Sequence, residues 1–250
     1  LRSNNLGNRN REISNAFIEH LFYLFDSKID ITIGGSYNNY SDFGKYFYPG
    51  VDLGIKLSNN IKFYSSFGST FRIPTYTDLF YQDKTTIGNS TLSPESAKNY
   101  EFGFRINKNM RLYNISFFKR NSENLIDYVK DNAEDLWQAR NISSLNTIGV
   151  ELDISGSLSE SEKHKYNIGY TFIENSKFNS LLSFSKYAIN SLKHHLSMNL
   201  NSYISNSFKA NISYRFLKRI NDDSYNILDL SLIYNLSKWK FTLSSYNILR

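Results

Sequence analysis

Apolar and polar residues alternate with a period of two along almost the whole chain. Between 208 and 216, apolar side chains occupy every second position and polar side chains fill the positions between them. The same alternation recurs in 100–106, 150–155, 196–200 and 228–234. A period of two is typical of β-strands that have one apolar and one polar face. The pattern therefore predicts strands throughout, and helical periodicity is nearly missing.

About twelve such segments can be delimited, and many are longer than the five to six residues usual in globular sheets. They match the roughly 9 to 11 residues of a tilted strand that crosses a bilayer. The longest uninterrupted apolar run, 21–25, is far too short for a membrane helix. The sequence predicts an all-β fold, a transmembrane antiparallel β-barrel with strands near 9–25, 28–37, 46–57, 61–71, 97–106, 110–120, 142–156, 165–174, 187–204, 208–218, 226–236 and 239–249.

The connections between these segments differ in length at the two ends of the predicted barrel. Tight turns are expected at 26–28, 58–60, 107–109, 205–207 and 237–238, with 157–164 somewhat longer. Long loops are expected at 38–45, 72–96, 121–141, 175–186 and 219–225. Short periplasmic turns and long external loops are typical of outer-membrane barrels. Because the first hairpin closes with a tight turn, we expect 1–250 to be a partial barrel domain that lacks at least one strand at each end.

Composition narrows the possible chemistry. The chain has no Cys, which excludes a disulfide framework, a thiolate metal site and a Cys nucleophile. Its net charge of +6 is dispersed without a basic tract, so we expect no nucleic-acid partner. Tyr and Phe contribute 19 residues each, an unusual richness in strand-forming aromatics. The first 25 residues lack the pattern of a signal peptide.

One constellation raises an enzymatic alternative. His195, Ser197 and Asn199 share one strand face, and a His and Ser with a nearby Asn is the set used by outer-membrane phospholipase A. Their face points to the lumen, where no phospholipid lies, so we expect no catalytic residue and no enzyme. Adjacent His194 and His195 face opposite sides, which disfavours a shared metal. We expect no metal or cofactor. The acidic residues at 131–135 and 222–223 are expected to be solvated charges in loops.

Two stretches carry a more specific signal than periodicity. Residues 71–80 read FRIPTYTDLF, and 88–95 read GNSTLSPE, followed by NYEFGFR at 99–105. These segments resemble the paired boxes of TonB-dependent outer-membrane receptors, in which the first ends one strand and the second opens the next. Residues 146–152 and 246–249 also resemble segments of that family. The motif residues are Phe71, Arg72, Pro74, Leu79, Gly88, Asn89, Leu92, Pro94 and Glu95.

The resemblance implies a 22-stranded barrel with an N-terminal plug, of which this chain would form strands ten to twenty-one. Plug, TonB box and final strand would be absent from it. The sequence of the first box is most similar to that of the vitamin B12 receptor branch. The absence of His from 72–94 disfavours haem as the transported ligand. The implied function is TonB-dependent transport of a scarce large solute, cobalamin or an iron-siderophore, in a Gram-negative outer membrane. Passive porin or adhesin function is the other alternative.

Implied partners are outer-membrane lipid, the TonB complex through the missing plug, the transported small molecule and, as a possibility, a surface lipoprotein. Two external loops are the expected ligand contacts because aromatic and mixed-charge groups suit a large amphiphilic solute. The alternative is structural: Pro74 and Pro94 shape the loop, and Arg72 pairs within the wall or with the plug. The candidate ligand-binding residues are Tyr76, Phe80, Tyr81, Asp83 and Lys84 in 72–96, and Trp137 and Arg140 in 121–141.

The alternation also predicts which side chains meet lipid. Phe208, Ile212, Tyr214 and Leu230 are expected to face acyl chains, whereas the polar positions between them face the lumen. Trp239, beside a tight turn, is expected to anchor the inner membrane interface.

Overall fold

The computed structural model describes residues 2–3, 5–160, 162–178, 184–186, 192–220 and 222–249. Long β-strands account for most of these residues, and one short helix interrupts them. The strands are β1 (Arg2–Ser3), β2 (Gly7–Asn8), β3 (Ile13–Leu24), β4 (Ile29–Tyr40), β5 (Gly44–Lys56), β6 (Ile61–Arg72), β7 (Thr86–Ile87), β8 (Glu95–Lys108), β9 (Arg111–Lys130), β10 (Trp137–Ser157), β11 (His164–Phe178), β12 (Phe184–Ser185), β13 (Leu192–Tyr203), β14 (Phe208–Arg219), β15 (Tyr225–Leu236) and β16 (Trp239–Ser245). The helix is α1 (Tyr76–Phe80).

Twelve long strands form one up-and-down antiparallel sheet in the order β16-β15-β14-β13-β11-β10-β9-β8-β6-β5-β4-β3. The short strands β7 and β12 attach to β10 and β9, and β1 pairs with β2. The prediction of an all-β antiparallel fold with about twelve long strands is confirmed. Over the described ranges, no helix has the length and apolar character needed to cross a membrane.

The turns at one end of the sheet are short, as predicted, but several predicted loops at the other end have wrong bounds. Only 41–43 connect β4 to β5, where a loop over 38–45 was expected. Strand β9 continues to Lys130 and β10 begins at Trp137, so most of 121–141 is paired strand. Alternation fades there because this part of the hairpin packs against the 73–94 loop, so that Asp127, Tyr128 and Val129 are buried in succession while the backbone pairing continues.

The predicted last strand is also too long, because β16 ends at Ser245. Strand β13 begins at Leu192, and the preceding part of its predicted segment, 187–191, lies outside the described residues. The remaining long loop, 73–94 between β6 and β8, is present and contains α1.

Strand register assembles one continuous apolar face across the sheet. Phe102 lies opposite Phe117, which lies opposite Val150. On the later strands, Ile212 lies between Leu200 and Leu230. The other face carries paired charges such as Lys62–Asp30 at 2.8 Å and Arg215–Asp229 at 2.9 Å. This register gives each strand one apolar and one polar face, as the alternation predicted.

The apolar core lies at the loop end, outside the apolar face. Leu79, Leu92, Tyr128 and Ala139 are buried together, with Phe43, Phe80, Ile126 and Trp137 packed around them. These residues come from α1, the 73–94 loop, the β4–β5 turn and the β9–β10 hairpin. The loop therefore folds against the neighbouring strand ends.

Candidate functional site

The helix α1 begins at a complete capping box. Thr75 accepts a hydrogen bond from the backbone N–H of Asp78 through its Oγ1 at 3.1 Å, and Asp78 Oδ2 accepts from the N–H of Thr75 at 2.9 Å. Pro74, fully buried, precedes the cap and fixes its backbone direction. Reciprocal capping satisfies donors that so short a helix would otherwise leave unpaired.

Arg72 ties this helix to the sheet. Its Nε and Nη2 donate to the two carboxylate oxygens of Glu95 at 2.8 and 2.6 Å, and its Nη1 donates to Asp78 at 3.0 Å. Arg72 and Glu95 are direct cross-strand partners on β6 and β8. Glu95 Oε1 also accepts from the backbone N–H of Ile126 on β9 at 2.7 Å. The guanidinium thus joins β6, α1 and β8, and Glu95 extends the connection to β9. Arg72 pairs within the wall, the first of the two alternatives for this residue.

The second box closes the loop against α1. A Cβ on Gly88 would lie 2.9 Å from backbone atoms of Asp78, Leu79 and Phe80, so only glycine permits this approach. The N–H of Asn89 donates to the carbonyl of Asp78 at 2.8 Å. The Asn89 side chain then accepts from the N–H and hydroxyl of Thr91, a local turn that directs the chain toward β8.

Between the boxes, Asp83 organises an exposed turn. Its Oδ1 accepts from the backbone N–H groups of Thr85 and Thr86, each at 2.7 Å, and its Oδ2 accepts from the Tyr81 hydroxyl at 2.9 Å. Hydrogen bonds from the Thr85 N–H and then from the Tyr81 hydroxyl lower the pKa of the Asp83 carboxyl. The same contact raises the pKa of Tyr81. Strand β7 follows and pairs with β10 at Trp137.

Two arginines outside the motif cover the helix. Arg9 stacks its guanidinium on the Phe80 ring at 3.7 Å. Arg11 donates to the Pro74 carbonyl at 3.0 Å, forms an ion pair with Asp42 at 2.8 Å, and lies 5.0 Å from the Tyr76 ring. Sequence reasoning missed both arginines because they are more than sixty residues away in the chain and no local pattern marks them.

Asn141 is a second residue that the sequence did not reveal. Its side chain bonds both backbone groups of Ser93, accepting from the N–H and donating to the carbonyl at 2.8 Å each. It also donates to the carbonyl of Asn124 at 2.7 Å. Asn124 has a φ of 53°, which is uncommon for a residue other than glycine, so Asn141 secures the loop at an unusual backbone position of β9.

The tip of the β9–β10 hairpin is rich in cation–aromatic contacts. Lys130 and Lys186 place their ammonium groups 5.0 and 5.4 Å from the Trp137 ring. Arg140 donates to both oxygens of Asp131 at 3.1 Å and to Gln138 at 2.8 Å, so its guanidinium is already engaged by protein groups. Trp137 therefore makes cation–π contacts with two lysines.

The structure brings most of the predicted ligand-contact residues to one end of the sheet. Asp83 and Lys84 are exposed, and Tyr81 is half-buried beside them. Tyr76 and Phe80 lie beneath the two arginines, and Trp137 borders the loop through β7. The assignment of these residues to ligand contact stays a prediction.

The enzymatic alternative gains no support from geometry. The Ser197 hydroxyl donates to the carbonyl of Gly169 at 3.5 Å, and in the described part of the chain no hydrogen bond joins it to His195. His194 instead bonds the Tyr170 hydroxyl at 2.9 Å. The described residues also contain no group of three or more His, Cys, Asp or Glu side chains placed to hold a metal ion.

Comparison with known proteins identifies the family. The sequence profile described as TonB dependent receptor-like, beta-barrel, matches residues 2–248. The chain belongs to this family of TonB-dependent receptor barrels. Membership confirms the resemblance drawn from the two boxes and places the barrel in the outer membrane of a Gram-negative bacterium.

Relatives and solved structures of the TonB-dependent receptor barrel agree with this assignment. The vitamin B12 transporter BtuB of Vibrio vulnificus is 31% identical over 113 residues, 45% of this chain and 18% of that protein. BtuB of Photobacterium profundum is 26% identical over 99 residues, covering 38% and 16% of the two chains.

Among structures, the siderophore receptor PirA of Pseudomonas aeruginosa superposes with a TM-score of 0.76 at 18% identity, over 96% of this chain and 43% of that one. A mutant of the ferric enterobactin receptor PfeA from the same organism gives 0.75 at 15% identity, over 97% and 41%. The likeness to the two structures shows the fold. This chain spans less than half the length of any of these proteins.

Proposed function

We propose that the whole protein is an outer-membrane receptor that transports a scarce large solute, of the cobalamin or iron-siderophore kind, with energy delivered by TonB. In this proposal, residues 1–250 form part of the barrel wall and its external loops. A plug domain links the solute to TonB. The similarity to a vitamin B12 transporter and to siderophore receptors supports this function.

The observation that carries the proposal is the braced loop over 73–94. A passive pore has no need for an external loop fixed by a bidentate ion pair, a capping box and a small apolar core. A receptor does, because a preorganised surface loses less conformational entropy when it binds a solute. The loop also packs against the β4–β5 turn and the β9–β10 hairpin, which keeps its exposed edge in a fixed position.

That exposed edge is the proposed contact surface for the solute. It comprises Tyr81, Asp83 and Lys84, together with Trp137 of β10, which pairs with Thr86 of β7. The edge offers an aromatic ring, a hydroxyl and both signs of charge, which suits a large solute with apolar and polar parts. Tyr76, Phe80 and Arg140 are engaged by protein groups, so we propose that they support this edge.

Uptake by cells tests the proposal. The full-length receptor is expressed in a host that lacks its own cobalamin and siderophore receptors, and labelled cobalamin and a ferric siderophore are supplied separately. We expect one of the two to accumulate, and only when TonB is functional. Accumulation of unrelated small solutes without TonB would indicate a passive pore, and release of fatty acids from lipid would indicate an enzyme.

Variants of the exposed edge localise the contact. Lys84→Ala and Trp137→Ala should each weaken binding of the accepted solute by about five- to tenfold, as expected when a partly buried interface contact is lost. Lys108→Ala, at the other end of β8, serves as the matched control and should bind normally. Unchanged binding in both edge variants would remove this surface from the proposal.

A further inference from the structure

The apolar face of β8 and β9 carries a compact aromatic surface. Phe102 and Phe117 stack with ring centroids 5.3 Å apart and planes inclined by 19°, and Phe67 and Tyr100 lie 5.1 Å apart. Phe102 is 49% exposed and Tyr100 is 42% exposed. Rings this exposed on a barrel wall meet acyl chains.

Cations occupy both ends of this surface on the same two strands. Lys98 and Lys119 lie at the loop end, and Lys108 and Arg111 lie at the turn end, where they face each other across the hairpin. All four side chains are exposed. Because Tyr100 pairs with Lys119 and the neighbouring Lys98 pairs with Asn121, the two loop-end lysines are diagonal neighbours on one face.

The spacing between the two cation pairs matches a bilayer. Lys108 lies ten positions after Lys98, which is about 34 Å of strand at about 3.4 Å per residue. A tilt of about 45° reduces this to about 24 Å, close to the roughly 25 Å height of a barrel's apolar band. Lys98 therefore lies at the level of the external lipid headgroups, with Lys119 one diagonal step nearer the membrane.

Neither loop-end lysine has an acidic partner. In the part of the chain that the structure describes, no carboxylate lies within 4.0 Å of either ammonium. Two acids lie near the lysines on this face. Glu123 is exposed and lies two residues after Asn121 on β9, toward the loop end. Glu174 pairs with Ile148, the β10 partner of Lys119, and its carboxylate is 3.8 Å from the Lys193 ammonium. On the polar face, by contrast, Lys62 and Arg215 both have carboxylate partners.

We propose that Lys98 and Lys119 together bind a phosphate group of an anionic lipid in the external leaflet, whose acyl chains lie along the Phe102 and Phe117 rings. Two unpaired cations at headgroup depth attract a phosphate, and long lysine side chains reach the interface from an apolar surface. The aromatic surface below them provides the contact for the chains of the same lipid. The proposal rests on the outer-membrane location and is independent of the transported solute.

Lipid binding to the full-length receptor in neutral detergent tests this site. The probes are diphosphoryl lipid A and the same lipid after removal of its phosphates, and the readout is the apparent Kd by native mass spectrometry. For the phosphorylated probe, Lys98→Gln/Lys119→Gln should raise the Kd about 25-fold, since each cation near an anionic surface contributes about fivefold. Lys98→Arg/Lys119→Arg should retain binding because the charge is kept.

The turn-end pair supplies the matched control. Lys108→Gln/Arg111→Gln removes the same charge from the same strands and face, and its Kd should stay within about twofold of the wild type. Heat-modifiable migration in gels verifies that every variant is folded. Three results would overturn the proposal: an unchanged Kd in the loop-end variant, an equal loss in the turn-end variant, or equal affinity for the dephosphorylated probe.

Discussion

Apolar side chains are buried in the loop between β6 and β8 but exposed on the outer face of the last strands of the wall. In the loop, Leu79 and Leu92 are 6% and 4% exposed, whereas Ile212 on β14 and Tyr234 on β15 are 39% and 42% exposed. The loop excludes water by packing its apolar side chains against the neighbouring strand ends, as a soluble protein buries its core. The wall presents its apolar side chains outward, because lipid is the solvent there.

The two regions also differ in how polar groups are satisfied. Wall strands satisfy their backbone groups by regular cross-strand pairing, as in the unbroken β8–β9 register. In the loop, side chains supply part of the hydrogen-bond partners of the backbone, since Asn141 bonds the backbone of Ser93 and Asp83 accepts from the amides of Thr85 and Thr86. In the wall, the effect of a substitution on stability should therefore depend on whether the residue faces lipid or the lumen. In the loop, it should depend on which side-chain contacts are lost.

Arg72→Ala is the change with the largest expected effect. It leaves two carboxylates, Asp78 and Glu95, without their cation, although their side chains are only 11% and 14% exposed. Loss of one partner from such a network costs about 3 kcal/mol or more. Thermal unfolding should shift down and proteolysis of the 73–94 loop should accelerate. Arg72→Lys keeps the charge but cannot make the bidentate contact with Glu95, so its stability should lie between those of the wild type and Arg72→Ala. Wild-type stability of Arg72→Ala would contradict this account of the loop.

In the wall, a charge should be damaging on one face only. Ile212→Lys places an ammonium between Leu200 and Leu230 and should cost about 2 to 4 kcal/mol near the midplane of the bilayer. Ser213→Lys, one residue along on the polar face, should be tolerated. Folding yields in lipid vesicles measure both variants. Similar damage at the two positions would show that the faces are wrongly assigned.

Gly88→Ala examines close packing within the loop. The added Cβ would lie 2.9 Å from three backbone atoms of α1, so the helix and the second box must separate. Overpacking of this kind costs about 1 to 3 kcal/mol, less than loss of the Arg72 network. Gly68→Ala is a suitable control because a Cβ there meets nothing within 4 Å. The comparison is made by melting temperature, and equal values would mean that the loop is less tightly packed than these distances indicate.

The smallest expected effect concerns Asp83. Its folded-state pKa is lowered, so its ionised form stabilises the turn above the ordinary carboxyl pKa of about 3.9. That stabilisation should be lost only as pH falls through the lowered value. Tyr81→Phe removes one donor and should move the pKa of Asp83 back toward 3.9, whereas Lys84→Gln should change it less. Carboxyl chemical shifts in an NMR titration report the pKa, and an ordinary value in the wild type would contradict the hydrogen bonding of this turn.

Sequence reasoning succeeded best in the wall and least well above it. Alternation located the strands because each has lipid on one face, and the two boxes located the loop. The extension of β9 to Lys130 carries no such alternation, since successive residues on both of its faces, Asp127, Tyr128 and Val129, are buried against protein. The contacts of Arg11 and Asn141 depend on the tertiary fold, which brings 11 near 74 and 141 near 93. A local pattern cannot contain that information.

The most direct test of the barrel assignment is a cysteine scan of β14 in a receptor whose other cysteines, all outside residues 1–250, have been replaced by serine. Single cysteines at 208–216 in the full-length receptor are spin-labelled and reconstituted in lipid, and collisions with oxygen and with a water-soluble nickel chelate are measured. We expect high oxygen access at 208, 210, 212, 214 and 216 and high nickel access at the residues between them. Accessibility without a period of two would contradict a membrane-spanning strand with one lipid face.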